Sequence, residues 1–206
     1  MPAILMDGKQ VAQRAIADLI PRVQALHARG IHPKLSGVAV GDDAARRIYI
    51  RAKIRAWEQA GVLGDEVELP ASTAQGAVLE CLDRLNADRA VHGVLVQLPL
   101  PRGMDQHAIA AHIAPAKDVD GLHVCNHGRL VQGDTILPPC TPAGVLRLLD
   151  AYSIALRGRH AVVVGRSEIV GKPMALLLIQ RDATVTVCNS KTPDLGSFTR
   201  SADILV

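Results

Sequence analysis

An α/β fold with mostly parallel sheets is predicted by three features of the sequence. Runs rich in valine, isoleucine and leucine, ended by glycine or proline, alternate with longer stretches of helical spacing. Only 2% of the 206 residues are aromatic, so aliphatic side chains must fill the core. Strands of that composition are typical of sheets buried on both faces, and such sheets are mostly parallel.

The buried strands are predicted at four apolar runs, residues 35–40, 93–97, 161–165 and 184–188. Two stretches of helical spacing, residues 7–29 and 44–60, are predicted to be helices, with Gly61 just past the end of the second.

Two further helices are predicted from their first residues. Residues 72–75 match a capping box ahead of an apolar stripe, so a helix is expected to open at Ser72. Thr141 followed by Pro142 fits an N-cap and a proline in the first helical turn.

The stretch 99–142 is predicted to form functional loops and an interdomain connection. It has little long-range periodicity and holds six prolines, namely Pro99, Pro101, Pro115, Pro138, Pro139 and Pro142. We therefore expect two α/β domains, residues 1–137 and 138–206. The apolar run 201–206 is typical of a strand that is just beginning, so the second domain is expected to be incomplete at its C-terminus.

Composition excludes several classes of protein. Lys and Arg number 23 against 20 Asp and Glu, and this net charge of +3 is scattered, which argues against a nucleic-acid partner. No apolar run approaches the roughly 18 residues that span a bilayer, and the N-terminus lacks signal-peptide features. We expect a cytoplasmic protein with no membrane partner, whose cysteines without CxxC spacing are reduced thiols: Cys81, Cys125, Cys140 and Cys188.

A buried strand, a glycine turn and a helix start follow one another in residues 161–173. Such a turn presents backbone N–H groups and the positive end of a helix to a phosphate. It is not a P-loop, because five residues separate Gly165 from Gly171 and Pro173 stands where a P-loop has Ser or Thr. Ser167 replaces the second glycine of GxGxxG, so a dinucleotide site and an ordinary strand-to-helix turn both stay open.

The end of the next predicted strand favours NADP over NAD. NAD-specific folds usually carry an acidic residue there, roughly 20 residues after the glycine turn. Residues 187–192 hold no carboxylate. Ser190 and Lys191, together with Arg166 in the turn, suit a 2′-phosphate.

Tyr49 and Lys53 form a second candidate constellation, because their i, i+4 spacing places them on one helix face. A lysine in a partly apolar cleft can have its pKa lowered enough to act as a base, and a neighbouring phenol can orient it. Gln97 ends a buried strand, at the edge where α/β proteins build their sites. A solvent-facing Tyr/Lys pair is the alternative.

Two shorter motifs are less specific. Residues 117–121 pack three charges into a glycine-ended loop, which suits either a site or a solvated turn. His123 and His127, with Cys125 between them, have the i, i+4 spacing of metal ligands. No HExxH signature accompanies them and Gly128 follows at once, so no metal site is predicted.

Five segments together carry a family resemblance. In order along the chain they are YIRAKIRAWEQAG, GVLVQLPLP, PAKDVDGLHVCNHGRL, PCTPAGVLRLL and GRSEIVGKPMALLL. With this order and spacing, the sequence resembles the bifunctional methylenetetrahydrofolate dehydrogenase/methenyltetrahydrofolate cyclohydrolase family over nearly all its length. The resemblance implies NADP-dependent oxidation of 5,10-methylenetetrahydrofolate in one-carbon metabolism, then hydrolysis of the methenyl product to 10-formyltetrahydrofolate.

The resemblance also implies two α/β domains flanking a cleft, the second a Rossmann-like NADP-binding domain, and a homodimer. Lys53 matches the catalytic lysine, Tyr49 the tyrosine that orders it, and Gln97 the glutamine that hydrogen-bonds near it. Asp120 matches the carboxylate that holds the pterin ring. The remaining matches are Val96 and Leu98 on the folate side, and Gly165, Arg166, Ser167, Gly171 and Ser190 on the cofactor side.

Departures from the family pattern keep two alternatives open. Arg46 stands where the family usually has Ser, which allows a dehydrogenase without cyclohydrolase activity. Asn189 replaces a frequent His, while Ser190 is retained. The family continues beyond Val206, so an inactive, ligand-binding fragment is the other alternative.

Overall fold

The structure of the protein, a computed structural model, describes residues 3–41 and 44–206, with the side chains of residues 44–49 left out. The predicted roles of Arg46 and Tyr49 therefore lie outside the described side chains. In the described part of the chain, no helix combines the length and the apolar character that a membrane crossing requires.

The chain packs as two units, one formed by residues 12–119 and the other by residues 1–11 with 120–206. The domain boundary predicted between residues 137 and 138 stays a prediction. Each unit contains a three-stranded parallel sheet, as the α/β prediction requires, and the predicted fold class is confirmed.

The first sheet consists of β1 Lys34–Val40, β2 Leu63–Leu69 and β3 Gly93–Val96, in the strand order β2-β1-β3. Valine-rich β1 and β3 are buried almost throughout, as expected of parallel strands covered on both faces. Side chains from both strands, α3 and α4 form one apolar core. In chain order the elements are α1 Gly8–His27, β1 Lys34–Val40, α2 Ala44–Gln59, β2 Leu63–Leu69, α3 Gln75–Ala87, β3 Gly93–Val96 and α4 Gln106–His112.

The second sheet has the corresponding order, β5-β4-β6. Its core is built from β4, α7 and the end of α6, with Ala161, Met174 and Leu178 fully buried. The elements are α5 Val124–Gln132, α6 Cys140–Ala151, β4 His160–Val164, α7 Gly171–Ile179, β5 Thr184–Cys188, α8 Leu195–Arg200 and β6 Ile204–Leu205.

All four predicted strands are confirmed to within one residue, as β1, β3, β4 and β5. β2 was not predicted. It lies at the sheet edge and carries Asp65, Glu66 and Glu68, so it lacks the apolar run that marks the buried strands.

Both predicted helix starts are wrong. α3 begins at Gln75 with Ala74 as N-cap, and no side chain caps it. The capping box fails because Oε1 of Gln75 accepts a hydrogen bond from the Asp105 N–H at 2.7 Å, a partner 30 residues away. α6 begins at Cys140 with Pro139 as N-cap, so Thr141 lies inside the first turn.

The interpretation of 99–142 as loops is also wrong in part, because α4 and α5 lie within it. Asp105 caps α4 by accepting from the N–H groups of His107 and Ala108. Nδ1 of His123 caps α5 by accepting from the Cys125 N–H. These short helices have too few turns to show a clear apolar period in the sequence.

An ion pair joins β1 to β2 and gives stability a pH dependence. Nζ of Lys34 lies 2.7 Å from Oδ2 of Asp65. Partial burial acts to raise the pKa of Asp65, but the hydrogen bond from Lys34, the neighbouring Ser36 hydroxyl and the charge of Lys34 together outweigh it, and the pKa lies below its ordinary value. The pair therefore stabilises the fold fully above the ordinary aspartate pKa and loses this contribution as pH falls through the lowered one.

Replacing Asp65 with Asn is expected to lower the free energy of unfolding at pH 7 by less than about 1 kcal/mol, because both groups are partly exposed. Near pH 3 the difference from the parent protein should shrink. Urea unfolding at both pH values measures it. Asp182→Asn is the matched control, since its partner Arg157 is 87% exposed; an equal loss there would contradict the assignment.

Gly121 is required by the backbone that surrounds it. Its φ is +69°, and a Cβ at this position would lie 2.6 Å from the carbonyl carbon of Pro138 and from the nitrogen of Pro139. Gly121→Ala is therefore expected to destabilise the protein by on the order of 3 kcal/mol. Thermal unfolding checks this against Gly144→Ala, where an added Cβ meets open space; equal melting temperatures for the two variants would refute it.

Candidate functional site

The carboxyl edge of the first sheet holds the first candidate site. β1 lies between β2 and β3, so the chain crosses from one side of β1 to the other between these two strands. Such a switch point, at the carboxyl ends of the strands, is where open α/β sheets bind ligands. Gln97 follows β3 directly, and its N–H donates to the carbonyl oxygen of Val38 at 2.8 Å, so its backbone is fixed at this edge.

The structure brings Lys53 and Gln97 together. Lys53 lies on α2 and is half-buried, and its Nζ donates to Oε1 of Gln97 at 3.2 Å. Nε2 of Gln97 donates to the carbonyl oxygen of Leu98 at 2.8 Å, which fixes the amide so that its oxygen faces the lysine. The nitrogen of Lys53 is thereby held at the switch point, between α2 and the end of β3.

The other predicted folate-side residues have different surroundings. Val96 is buried at 6% exposure and Leu98 is half-buried, on either side of Gln97. Tyr49 precedes Lys53 by one turn of α2, and its side chain lies outside the described residues. Asp120 is half-buried and directly follows a segment that pairs with β3, at the bridge between Val94 and Asp118.

The glycine turn after β4 has the features of an anion-binding turn. Gly165 has a φ of +143°, and its N–H donates to the carbonyl oxygen of Cys188 at 2.9 Å. Oγ of Ser167 accepts from the N–H groups of Val170 and Gly171 at 3.2 and 3.3 Å, which closes the turn onto the start of α7.

Gly171 leaves no space for a side chain in this turn. A Cβ there would lie 2.3 Å from the carbonyl oxygen of Gly165 and 2.8 Å from the nitrogen of Arg166. Close packing of the helix start against the turn is the role of the third glycine in dinucleotide-binding folds, and it places the helix N-terminus where a pyrophosphate binds. The residues of the turn therefore fit a dinucleotide.

Parallel pairing brings the two predicted 2′-phosphate residues to one sheet edge. Val164 pairs with Cys188, so the turn with Arg166 and the segment with Ser190 both leave the sheet at its carboxyl end. Both residues are exposed. A cation and a hydroxyl accessible at this edge suit a phosphate ester on the ribose.

Asn189 has a role that the sequence analysis did not assign. Its Oδ1 accepts from the Lys191 N–H at 2.9 Å, and its own N–H donates to Oγ1 of Thr192 at 2.9 Å. These two bonds fold the turn that carries Ser190. The spacing of Asn and Thr, typical of a side-chain-stabilised turn, is the signal that identifies it.

One histidine of the predicted pair, His123, caps α5. Nδ1 of His123 accepts the Cys125 N–H at 2.9 Å as part of the cap, and His127 is half-buried one turn later. Across residues 3–41 and 44–206, no three His, Cys, Asp or Glu side chains are grouped to hold a metal ion.

A parallel sheet with a tight glycine turn after its first strand defines the second unit as a Rossmann-like, dinucleotide-binding type. Two family models agree with this class. Residues 6–120 match the catalytic domain of tetrahydrofolate dehydrogenase/cyclohydrolase, and residues 139–206 match its NAD(P)-binding domain. The chain therefore belongs to the tetrahydrofolate dehydrogenase/cyclohydrolase family, and the resemblance found in the sequence is confirmed.

Individual relatives support the same family. The bifunctional protein FolD of Bordetella bronchiseptica is 50% identical over 206 residues, which cover 100% of this chain and 73% of that protein. The crystal structure of the bifunctional enzyme FolD from Campylobacter jejuni matches with a TM-score of 0.96 and 41% identity, covering 98% of this chain and 72% of that one. A Trypanosoma brucei methylenetetrahydrofolate dehydrogenase-cyclohydrolase, complexed with NADP and an inhibitor, matches with a TM-score of 0.95 and 38% identity over 100% of this chain and 72% of its own.

Proposed function

We propose that this protein oxidises 5,10-methylenetetrahydrofolate with NADP and hydrolyses the resulting methenyl compound to 10-formyltetrahydrofolate. The observation that carries the proposal is the hydrogen bond between Lys53 and Gln97 at the carboxyl edge of the first sheet. Membership of the tetrahydrofolate dehydrogenase/cyclohydrolase family and the glycine turn of the second unit support it.

In the oxidation, the bridging methylene carbon of the folate loses a hydride and becomes a delocalised cation. NADP, when bound, supplies the hydride acceptor. A fixed positive charge beside the carbon would oppose this transition state, so the role proposed for Lys53 in this step is to order the substrate rather than to supply charge. Gln97 supports that role by offering a carbonyl oxygen to the amine, which orients the nitrogen without adding charge.

In the hydrolysis, water attacks the methenyl carbon and the bond from this carbon to N5 breaks. Lys53 takes one proton from the attacking water as a general base, and the second proton of the water ends on N5. The formyl group then remains on N10. Tyr49, one helical turn before Lys53, is proposed to order the lysine.

The remaining folate-side roles concern binding. Asp120 is proposed to accept hydrogen bonds from the amino-pyrimidine edge of the pterin, which fixes the approach of the substrate. Val96 and Leu98 are proposed to contact the folate ring system on either side of Gln97. On the cofactor side, Gly165, Ser167 and Gly171 form the pyrophosphate turn.

Arg166 and Ser190 are proposed to bind the 2′-phosphate of NADP. The double variant Arg166→Ala/Ser190→Ala is expected to raise KM for NADP by about 10²-fold or more, because charge-assisted hydrogen bonds contribute roughly 1.5–3 kcal/mol each. KM for NAD should stay nearly unchanged, since NAD lacks this phosphate. Steady-state kinetics with both cofactors measure this, and equal turnover with NADP and NAD by the parent protein would exclude the proposed preference.

The cyclohydrolase half is tested with methenyltetrahydrofolate alone, because hydrolysis consumes only water. The proposal predicts that the protein accelerates the decay of methenyl absorbance and that 10-formyltetrahydrofolate accumulates. Decay at the rate of an enzyme-free blank, with NADP reduction intact on the methylene substrate, would instead support the dehydrogenase-only alternative that Arg46 suggests.

We further propose a homodimer in the cytoplasm, as the family resemblance implies. Sedimentation equilibrium tests the assembly. A single species at the mass of one chain would exclude the dimer.

A further inference from the structure

The C-terminal end of α3 binds an unusual partner, the side chain of Lys117. Its Nζ donates to the carbonyl oxygens of Leu85, Asn86 and Asp88 at 2.9, 2.8 and 2.7 Å. The last carbonyls of a helix have no partner inside the helix, and this end carries partial negative charge. The three donors of one ammonium group are therefore matched to three such acceptors.

Asn86, at the same end of α3, also forms hydrogen bonds with the chain a few residues before Lys117. Nδ2 of Asn86 donates to the carbonyl oxygen of His112 at 2.8 Å, and Oδ1 of Asn86 accepts from the Ala114 N–H at 2.8 Å. The last turn of α3 thus forms hydrogen bonds with both ends of the segment 112–117. Lys117 forms the second of these two attachments.

Immediately after Lys117 the chain pairs with β3. The Val94 N–H donates to the carbonyl oxygen of Lys117 at 2.7 Å, and the Val119 N–H donates to the carbonyl oxygen of Val94 at 3.4 Å. Asp118 is buried at 1% exposure between these bonds. Asp120 is the next residue after this fixed segment, so its backbone position depends on how firmly residues 117–119 are held.

We propose that Lys117 is a positioning residue for the folate-binding carboxylate of Asp120. This inference rests on the role assigned to Asp120 in the proposed function. The ammonium of Lys117 does not itself meet the substrate, since its three donors are occupied by the end of α3. It acts by fixing the backbone three residues before the carboxylate, which is the kind of placement that weakens binding when it shifts by an ångström.

The test compares Lys117→Met, which keeps the length of the side chain and removes its donors, with the parent protein. KM for methylenetetrahydrofolate is expected to rise by about tenfold, while KM for NADP stays unchanged. Val23→Ala is the matched control, because Val23 is buried on α1 in the same unit and lies outside the core cluster that contains Val94 and Ile113. A folate KM that rises equally in the control, or stays unchanged in Lys117→Met, would overturn the proposal.

A double variant shows whether Lys117 acts through Asp120. Asp120→Ala alone should raise the folate KM, and adding Lys117→Met should raise it no further. If Asp120→Ala leaves KM unchanged, the proposed role of Asp120 fails; if it raises KM and the second change multiplies the effect, only the positioning role fails. Lys117→Gln, whose side chain is one bond shorter, uncharged and has two N–H donors instead of three, replaces the methionine variant if that one does not fold; it is expected to raise the folate KM by a smaller factor, and no rise at all would overturn the proposal.

Discussion

Lys53→Met is expected to lose cyclohydrolase activity by about 10²- to 10⁴-fold, the usual contribution of a positioned general base. Methionine has similar length and volume but neither accepts a proton nor donates to Oε1 of Gln97. Dehydrogenase activity should fall as well, because the same nitrogen and amide order the substrate at the switch point. Rates of methenyl hydrolysis and of NADP reduction measure the two losses.

Folding is expected to survive this change, since Lys53 is only half-buried and its hydrogen bond to Gln97 is made to another polar side chain. NADP binding should also survive, because the phosphate turn belongs to the other unit. Lys9→Met, at an exposed position of α1, is the matched control and should retain both activities. Full cyclohydrolase activity in Lys53→Met would remove Lys53 from the mechanism.

Gly171→Ala is expected to separate the two activities. The new methyl group would lie 2.3 Å from the carbonyl oxygen of Gly165, so the turn must open. Displacing a ligand-binding group by an ångström costs about 10²-fold, and we expect at least that loss in NADP-dependent oxidation. Hydrolysis of methenyltetrahydrofolate should persist, because it needs no dinucleotide.

Calorimetric titration with NADP measures the binding loss directly. Gly128→Ala serves as the control, because an added Cβ there meets nothing within 4 Å. Loss of cyclohydrolase activity together with oxidation would indicate general unfolding, which thermal denaturation detects. Unchanged NADP affinity in Gly171→Ala would contradict the assignment of the turn.

The buried strands were predictable because their sequences leave few alternatives. The run that forms β4 is too apolar and too branched to suit a solvent-facing element, and Gly165 follows it directly. β2 was not predictable in the same way. Its residues are at most partly buried, so acidic residues are compatible with it and no apolar pattern appears.

The predicted helix starts were wrong for a different physical reason. A capping box is a local pattern, but the side chain of Gln75 accepts from the backbone of Asp105 instead. Competition between a local and a distant partner depends on the tertiary structure, which a motif of four residues does not contain. The start of α6 at Cys140 illustrates the same limit, because no side chain caps it.

The site residues that directly follow a buried strand could be predicted from the sequence. Gln97 stands directly after a buried strand, and its meeting with Lys53 follows from α2 lying close to the same edge. The contacts of Lys117 were not predictable, since its three acceptors are backbone carbonyls and carry no side-chain signature. Sequence alone assigned that lysine only to a charged loop.

Mixing the purified protein with 5,10-methylenetetrahydrofolate and NADP, and following NADPH and methenyl absorbance together, tests most directly whether one chain performs both steps. We expect that NADPH forms, that methenyl absorbance rises and then decays faster than in an enzyme-free blank, and that the final product is 10-formyltetrahydrofolate. No NADPH formation by a folded protein would contradict this expectation.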